Sequence, residues 1–190
     1  MPKTNSNIQF SAKLFLPAEI QEGETWTFLK LPIEASEKLP ARSQVSVEGT
    51  FNGHSFVATL DPDGEGGHWL KVSEALRTTA EANVGDMISL IISPVKVEPE
   101  PEVPDDFRAA IDANPIAQDT WQVITPIARR DWIKWVTSGK KAETRLIRIE
   151  KACDKLGKGS RRPCCFDRSG MYDKSLSCPV ADNTAESNEN

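Results

Sequence analysis

In NIQFSAKLFL, residues 7–16, every even-numbered side chain is apolar: Ile8, Phe10, Ala12, Leu14 and Leu16. Successive side chains on an extended strand point to opposite faces, so this period of two dictates a strand with one face turned to a core. The pattern returns throughout the first hundred residues. TWTFLKL puts Trp26 and Phe28 on one face, and SQVSVEGTFNGHSFVATL reads as a hairpin. Val45, Val47 and Phe51 alternate on its first arm, and Phe56, Ala58 and Leu60 on its second. Between the arms stand Asn52 and Gly53, a pair that accepts the positive φ angles of a type I′ turn. HWLKV adds a strand with His68, Leu70 and Val72 in register, SEALRTTAEA a short helix, and VGDMISLIISPVKV a last strand carrying Ile88, Leu90 and Ile92 on one side. Five or six strands with one apolar face each cannot lie open in water. Closure into a small barrel, plugged by the short helix, would cover that face.

The period changes after residue 97. VEPEPEVPDD holds three prolines and five acids in ten residues, the composition of an extended, solvated linker. Beyond it the apolar residues recur at helical spacing. DDFRAAIDANP carries Phe107, Ala110 and Ile111 and stops at Asn114-Pro115, and AQDTWQVI makes one or two turns. TPIARRDWIKWVTSG has Thr125 to cap it, Pro126 at its first helical position and Gly139 past its end. KAETRLIRIEKACDKLGKG is expected to bury Leu146, Ile149, Cys153 and Leu156. The organisation is therefore a β-barrel domain over 1–97, an acidic Pro-rich linker over 98–104 and a helical module over 105–160. A cysteine-containing extension over 161–179 and a tail of disordered composition over 180–190 follow. The fold class is α+β.

The net charge of −5 conceals a polarity. Residues 129–162 hold 12 Lys or Arg against 4 Asp or Glu, a net of +8, which leaves −13 on the rest. Lys141, Arg145 and Arg148 recur at spacings of four and three and share a helix face, with Lys140 beside them. Arg145 and Arg148 can fork onto a phosphate or carboxylate in a way Lys cannot. These four residues are the candidate site for an anion or a protein partner; the other reading is a solvated face paired with Glu143, Glu150 and the acidic linker. Trp132 and Trp135, set among the same basic residues, read either as core or as a stacking platform for bases.

WIKWVTSGKKAETRLIRI resembles the signature of the bacterial YdeI/OmpD-associated, or bacteriocin-protection, family. The matching residues are Trp132, Ile133, Trp135, Lys140, Lys141, Glu143, Thr144, Arg145, Arg148 and Ile149. Gly139 stands where that family tends to have Ala, which indicates a break in the helix. VPDDFRAAIDANPIAQDTWQVITPIARR is similar to the family's opening helices. WTFLKLP, GTFNG and VGD resemble a small β-barrel domain of unknown function that often precedes this module. The resemblance implies a double-split barrel like that of AbrB-like transcription factors, and a link to resistance against bacteriocins and cationic peptides. It brings no catalytic residues with it.

Cys164 and Cys165 are adjacent, Cys153 lies on a helix and Cys178 stands apart, so no pair has the two-to-four-residue spacing of a zinc knuckle, and no metal is expected. Arg161, Arg162 and Arg168 around Cys164 and Cys165 would favour thiolates and a redox role; packing of small thiols beside Phe166 and Met171, as a latch, is the alternative. The opening MPKTNSNIQF has no apolar run of signal-peptide length, and no stretch approaches the roughly 20 apolar residues of a membrane helix. A cytoplasmic location without membrane insertion is the expectation. No Ser, His and Asp arrangement appears, and DPDGEGG matches neither a calcium loop nor a phosphate loop. The reading favours a non-enzymatic binding or stress-protection protein without a cofactor. A nucleic-acid-binding regulator and an enzyme with an interdomain cleft are the alternatives, and the negative total charge weighs against the regulator.

Overall fold

The period-two segments are strands. The computed structural model describes residues 7–164 and 177–183 and divides into two units, Met1–Lys96 with Arg168–Asn190, and Val97–Asp167. The first unit runs β1 (Ile8–Lys13), β2 (Trp26–Lys30), α1 (Ile33–Ser36), β3 (Val45–Phe51), β4 (His54–Pro62), β5 (His68–Ser73), α2 (Glu74–Thr79) and β6 (Met87–Pro94). The six strands form one antiparallel sheet in the order β1-β6-β3-β4-β5-β2. Nine-residue β4 turns the corner: its first seven residues pair with β3, and Asp61 and Pro62 pair with β5.

The inner face buries Val47, Phe51, Leu60, Leu70, Val72, Ile88, Leu90 and Ile92, the alternating sets of their strands. Asn52 and Gly53 turn the β3–β4 hairpin at φ +47° and +83°. Asn52 also accepts the Ser89 backbone N–H at 2.9 Å through Oδ1, tying the hairpin to β6. Gly49 pairs with Ile92 of β6, and a Cβ there would lie 1.9 Å from the Ile91 carbonyl oxygen.

The expected barrel-like closure takes the form of a curled half-barrel, and the α+β class holds. Past β1 the chain meets β2 at one bridge, where Phe15 and Phe28 exchange backbone bonds of 2.8 and 2.9 Å. The expected plug differs in part. Ser73 caps α2 by accepting the Leu76 N–H at 3.2 Å, but α2 itself buries none of its residues; of the expected plug segment, Ala80 and Ala82, just past α2, join the core and Leu76 leans on it. Six residues are too few to reach across the sheet, at 1.5 Å of rise each.

β2 departs from one-sided patterning. Leu29 joins the inner core, whereas Phe28 is buried on the opposite face, in a ring cluster with Phe15, Trp26 and Trp69 at centroid separations of 5.7–6.5 Å. The tail meets the sheet near this cluster. Ala181 bridges Pro17, the Ala18 N–H donates to Val180 O and the Asp182 N–H donates to Leu16 O, both at 2.8 Å. Ala181, expected in a disordered tail, is therefore held in an isolated bridge to Pro17.

The second unit holds α3 (Asp105–Asp112), α4 (Pro115–Val123), α5 (Pro126–Thr137) and α6 (Ala142–Gly157). Asn114 ends α3 and caps α4, accepting the Ala117 N–H at 3.1 Å with Pro115 at the first helical position. Thr125 does the same for α5 through the Ala128 N–H at 3.2 Å. Phe107, Ile111, Trp121, Trp132, Val136, Ala152 and Leu156 form the core, together with Val103 from the acidic stretch. Leu146 is a correction: it is 66% exposed. The groove it edges with Ile149 is lined by Ala110 of α3 and by Ala113 and Asn114 just past that helix, and the two alanine side chains are short.

Candidate functional site

The basic, aromatic-rich stretch folds into the junction of α5 and α6. α5 ends at Thr137, and residues 138–141 turn the chain into α6. Gly139 is buried there because α6 packs directly on it; a Cβ would meet the Arg145 backbone nitrogen at 3.2 Å and Thr144 Cγ2 at 3.3 Å. The break expected at Gly139 therefore has its cause in close approach.

The four candidate residues do not form one set. Arg145 donates from Nε to Asp106 Oδ2 at 2.6 Å and from Nη2 to Asp106 Oδ1 at 2.9 Å, clamping α6 to the start of α3. This fork holds the Asp106 carboxyl below its ordinary range and raises Arg145 further. Arg148 donates from Nη1 to the Trp135 carbonyl at 2.7 Å and to Ser138 Oγ, with its guanidinium 5.6 Å from the Trp135 ring centre. It thereby caps the C-terminal end of α5, where the helix dipole is negative. Lys140 and Lys141 are exposed, and neither has a side-chain partner among the described residues. They flank the N-terminus of α6, whose cap position, Lys141, supplies no side-chain hydrogen bond.

Arg129 and Arg130 of the +8 segment are also engaged. Arg129 donates to the Trp121 and Gln122 carbonyls at 2.9 Å and to Glu100 at 2.6 Å, and Arg130 donates to Glu98. The acidic stretch is thus bound along α5. Trp132 is fully buried and donates to the Arg161 carbonyl at 3.1 Å; Trp135, half-buried, meets it edge to face at 6.0 Å. Trp132 belongs to the core, and Trp135 serves as the floor for Arg148.

The thiols divide as well. Cys164 is exposed, while Cys165, Phe166 and Met171 lie outside the described residues, as does Arg168. Cys153 is buried among α6 core residues, and burial raises its pKa. Cys178 is half-buried, and burial pushes its thiol up to about 11, which keeps it protonated near neutrality. Among the described residues no group of three His, Cys, Asp or Glu is placed to hold a metal.

Sequence reading missed a second place, in the first unit. A cavity of about 510 Å³ is lined by Phe15, Phe28, Lys30, Asp63, Glu65 and Cys178, among others. Asp63, nearly buried, accepts the Glu65 and Gly67 N–H groups at 2.8 Å, which with Lys30 holds its carboxyl below the ordinary range despite burial. Lys30 Nζ lies 2.8 Å from Glu65 Oε2 and 3.3 Å from Asp63 Oδ2, and the Glu65 bond leads the rise in its pKa. Gly67 is required beside Asp63, since a Cβ would fall 2.6 Å from Oδ2. The Asp-Gly-Glu-Gly-Gly run carried this signal. Its partner Lys30 is more than thirty residues away, and no local pattern connects them.

Residues 100–159 match the family model described as Bacteriocin-protection, YdeI or OmpD-Associated. Residues 10–92 match the model described as Domain of unknown function (DUF1905). The chain is thus similar to a DUF1905 domain over its first half and to a YdeI/OmpD-associated module over its second. No curated protein matches it. The junction of α5 and α6 lies inside the YdeI/OmpD-associated match, and most of the cavity lining lies inside the DUF1905 match.

Proposed function

We propose that the chain is a non-enzymatic binding protein in which the YdeI/OmpD-associated module recognises an anionic ligand or partner. The α5–α6 junction is the recognition surface. One observation carries this reading: Lys140 and Lys141 are exposed without side-chain partners among the described residues, whereas Arg145 and Arg148 beside them are held by Asp106 and by the end of α5. The arginines fix the shape of the junction and the lysines offer the free charge. The uncapped backbone N–H groups opening α6 point the same way, since a helix N-terminus favours negative charge. A stress- or bacteriocin-protection role in the bacterial cytoplasm is the biological setting we propose, on the strength of the matched family's description. Among the described residues no helix is long and apolar enough to cross a membrane.

Titration of the full chain with tripolyphosphate at two salt concentrations tests this. Saturable binding should weaken as salt rises, as expected for a contact made by two solvent-exposed ammonium groups. It should fall at least tenfold in Lys140→Glu/Lys141→Glu without a change in melting temperature. Binding that survives the double charge reversal would refute the assignment.

A further inference from the structure

We propose that the cavity beside β2 in the first unit binds a free α-amino acid with an apolar side chain, held as the zwitterion by Lys30 and Glu65. Its volume of about 510 Å³ lies in the range of small-molecule pockets. The walls divide by chemistry. Phe15 and Phe28 form an apolar wall, with ring centres 5.7 Å apart and planes tilted by 32°. Rings at that separation are already in contact, so an apolar group lies across both rather than between them. Cys178, Pro179 and Ala181 line the cavity with small side chains, and Lys30, Asp63 and Glu65 form its charged wall.

Hydrogen-bonding capacity along the charged wall identifies the ligand. Asp63 is fully engaged. Its Oδ1 accepts the Glu65 and Gly67 N–H groups at 2.8 Å, Oδ2 faces Lys30 Nζ at 3.3 Å, and the side chain is 3% exposed. It therefore anchors Lys30. An ammonium carries three N–H donors. Lys30 directs one to Glu65 Oε2 at 2.8 Å and one to Asp63, and the third has no partner among the described residues. Among those residues Glu65 accepts through Oε2 alone, which leaves Oε1 as an acceptor. A cationic donor and an anionic acceptor thus stand side by side next to an apolar wall. A simple carboxylate would meet Lys30 but also two acids, and the three groups together carry a net −1. A simple amine would meet Glu65 but crowd the Lys30 ammonium. A zwitterion answers both: its carboxylate accepts from Lys30, its ammonium donates to Glu65 Oε1, and both bonds are charge-assisted. Its side chain covers the phenyl rings and leaves water. The claim rests on the first unit alone and is independent of the Lys140 and Lys141 assignment.

Isothermal titration of the full chain with three probes tests this. L-Phenylalanine should bind saturably. Phenethylamine lacks the carboxylate and 3-phenylpropionate lacks the ammonium, so each should bind more weakly by about tenfold or more. Glu65→Gln changes a side chain that is 75% exposed, so the melting temperature should hold. The same variant should weaken L-phenylalanine by about tenfold without weakening 3-phenylpropionate. In the chain carrying Cys164→Ser and Cys165→Ser, bound L-phenylalanine should slow alkylation of Cys178, which locates it in this cavity. No saturable binding of L-phenylalanine would overturn the site. Equal affinity for either single-charge probe would overturn the zwitterion. Unchanged affinity in Glu65→Gln, or an unslowed Cys178, would overturn the placement.

Discussion

Replacing Arg148 by Ala separates a structural arginine from a displayed one. Its guanidinium donates to the Trp135 carbonyl at 2.7 Å and to Ser138 Oγ, and it stacks on Trp135. A charged donor on a carbonyl contributes about 1.5–3 kcal/mol, and an exposed cation–ring contact about 0.5–1 kcal/mol. The site is only half-buried, so water recovers part of the loss. The expected destabilisation is therefore near the low end of the sum, about 2 kcal/mol. A surface cation with no partner would cost within about 0.5 kcal/mol. Hydrogen exchange in the full chain reads the difference locally, because Trp135 and its neighbours lie on α5 (Pro126–Thr137). A loss of 2 kcal/mol means opening roughly 30-fold more often, and the α5 and α6 amides should exchange faster by that factor. Arg148→Lys should recover part of the protection, since an ammonium can donate to the carbonyl but lacks the planar guanidinium that lies on the Trp135 ring. Unchanged exchange on α5 combined with lost anion binding would refute the division of labour argued for the junction.

Gly49→Ala should disrupt the β3–β6 pairing, because its Cβ would lie 1.9 Å from the Ile91 oxygen; a loss of about 3 kcal/mol or more is expected by urea unfolding. Asn52→Ala removes both the residue that tolerates φ +47° and the bond to the Ser89 N–H, and should lower stability by about 1–2 kcal/mol in the same assay. His68 is fully buried, and burial lowers its pKa from 6.5. The unfolded chain therefore takes up the proton first, and stability should drain as pH falls from about 6.5 toward the folded value. His68→Gln should flatten this slope in melting curves taken between pH 7.5 and 5. Asp63 and Asp106, both lowered from 3.8, contribute their losses only at still lower pH and leave that window to His68.

The inner face of the sheet was legible because alternation is a local property: Ile88, Leu90 and Ile92 are buried as their spacing requires. The Asn52-Gly53 turn and the Thr125 cap were legible for the same reason. Trp26 and Phe28 share a face as their spacing requires, but alternation could not reveal that β2 is buried on both faces, since its outer cover comes from other segments of the chain. Leu146 followed helical spacing yet lies exposed, because burial also depends on the size of what stands opposite, and Ala110 and Ala113 are small. The basic stripe was visible as charge, but the partners of Arg145 and Arg148 were not. Asp106 lies 39 residues away in sequence, and the Trp135 carbonyl is a backbone group that composition cannot reveal.

The most direct test of anion recognition at the α5–α6 junction is an amide chemical-shift map of the isotopically labelled full chain titrated with tripolyphosphate. The account predicts saturable shifts confined to the amides of residues 139–144, with the Arg145 side chain keeping its contact to Asp106. Shifts that fall elsewhere, or release of Arg145 from Asp106 to meet the anion, would contradict it.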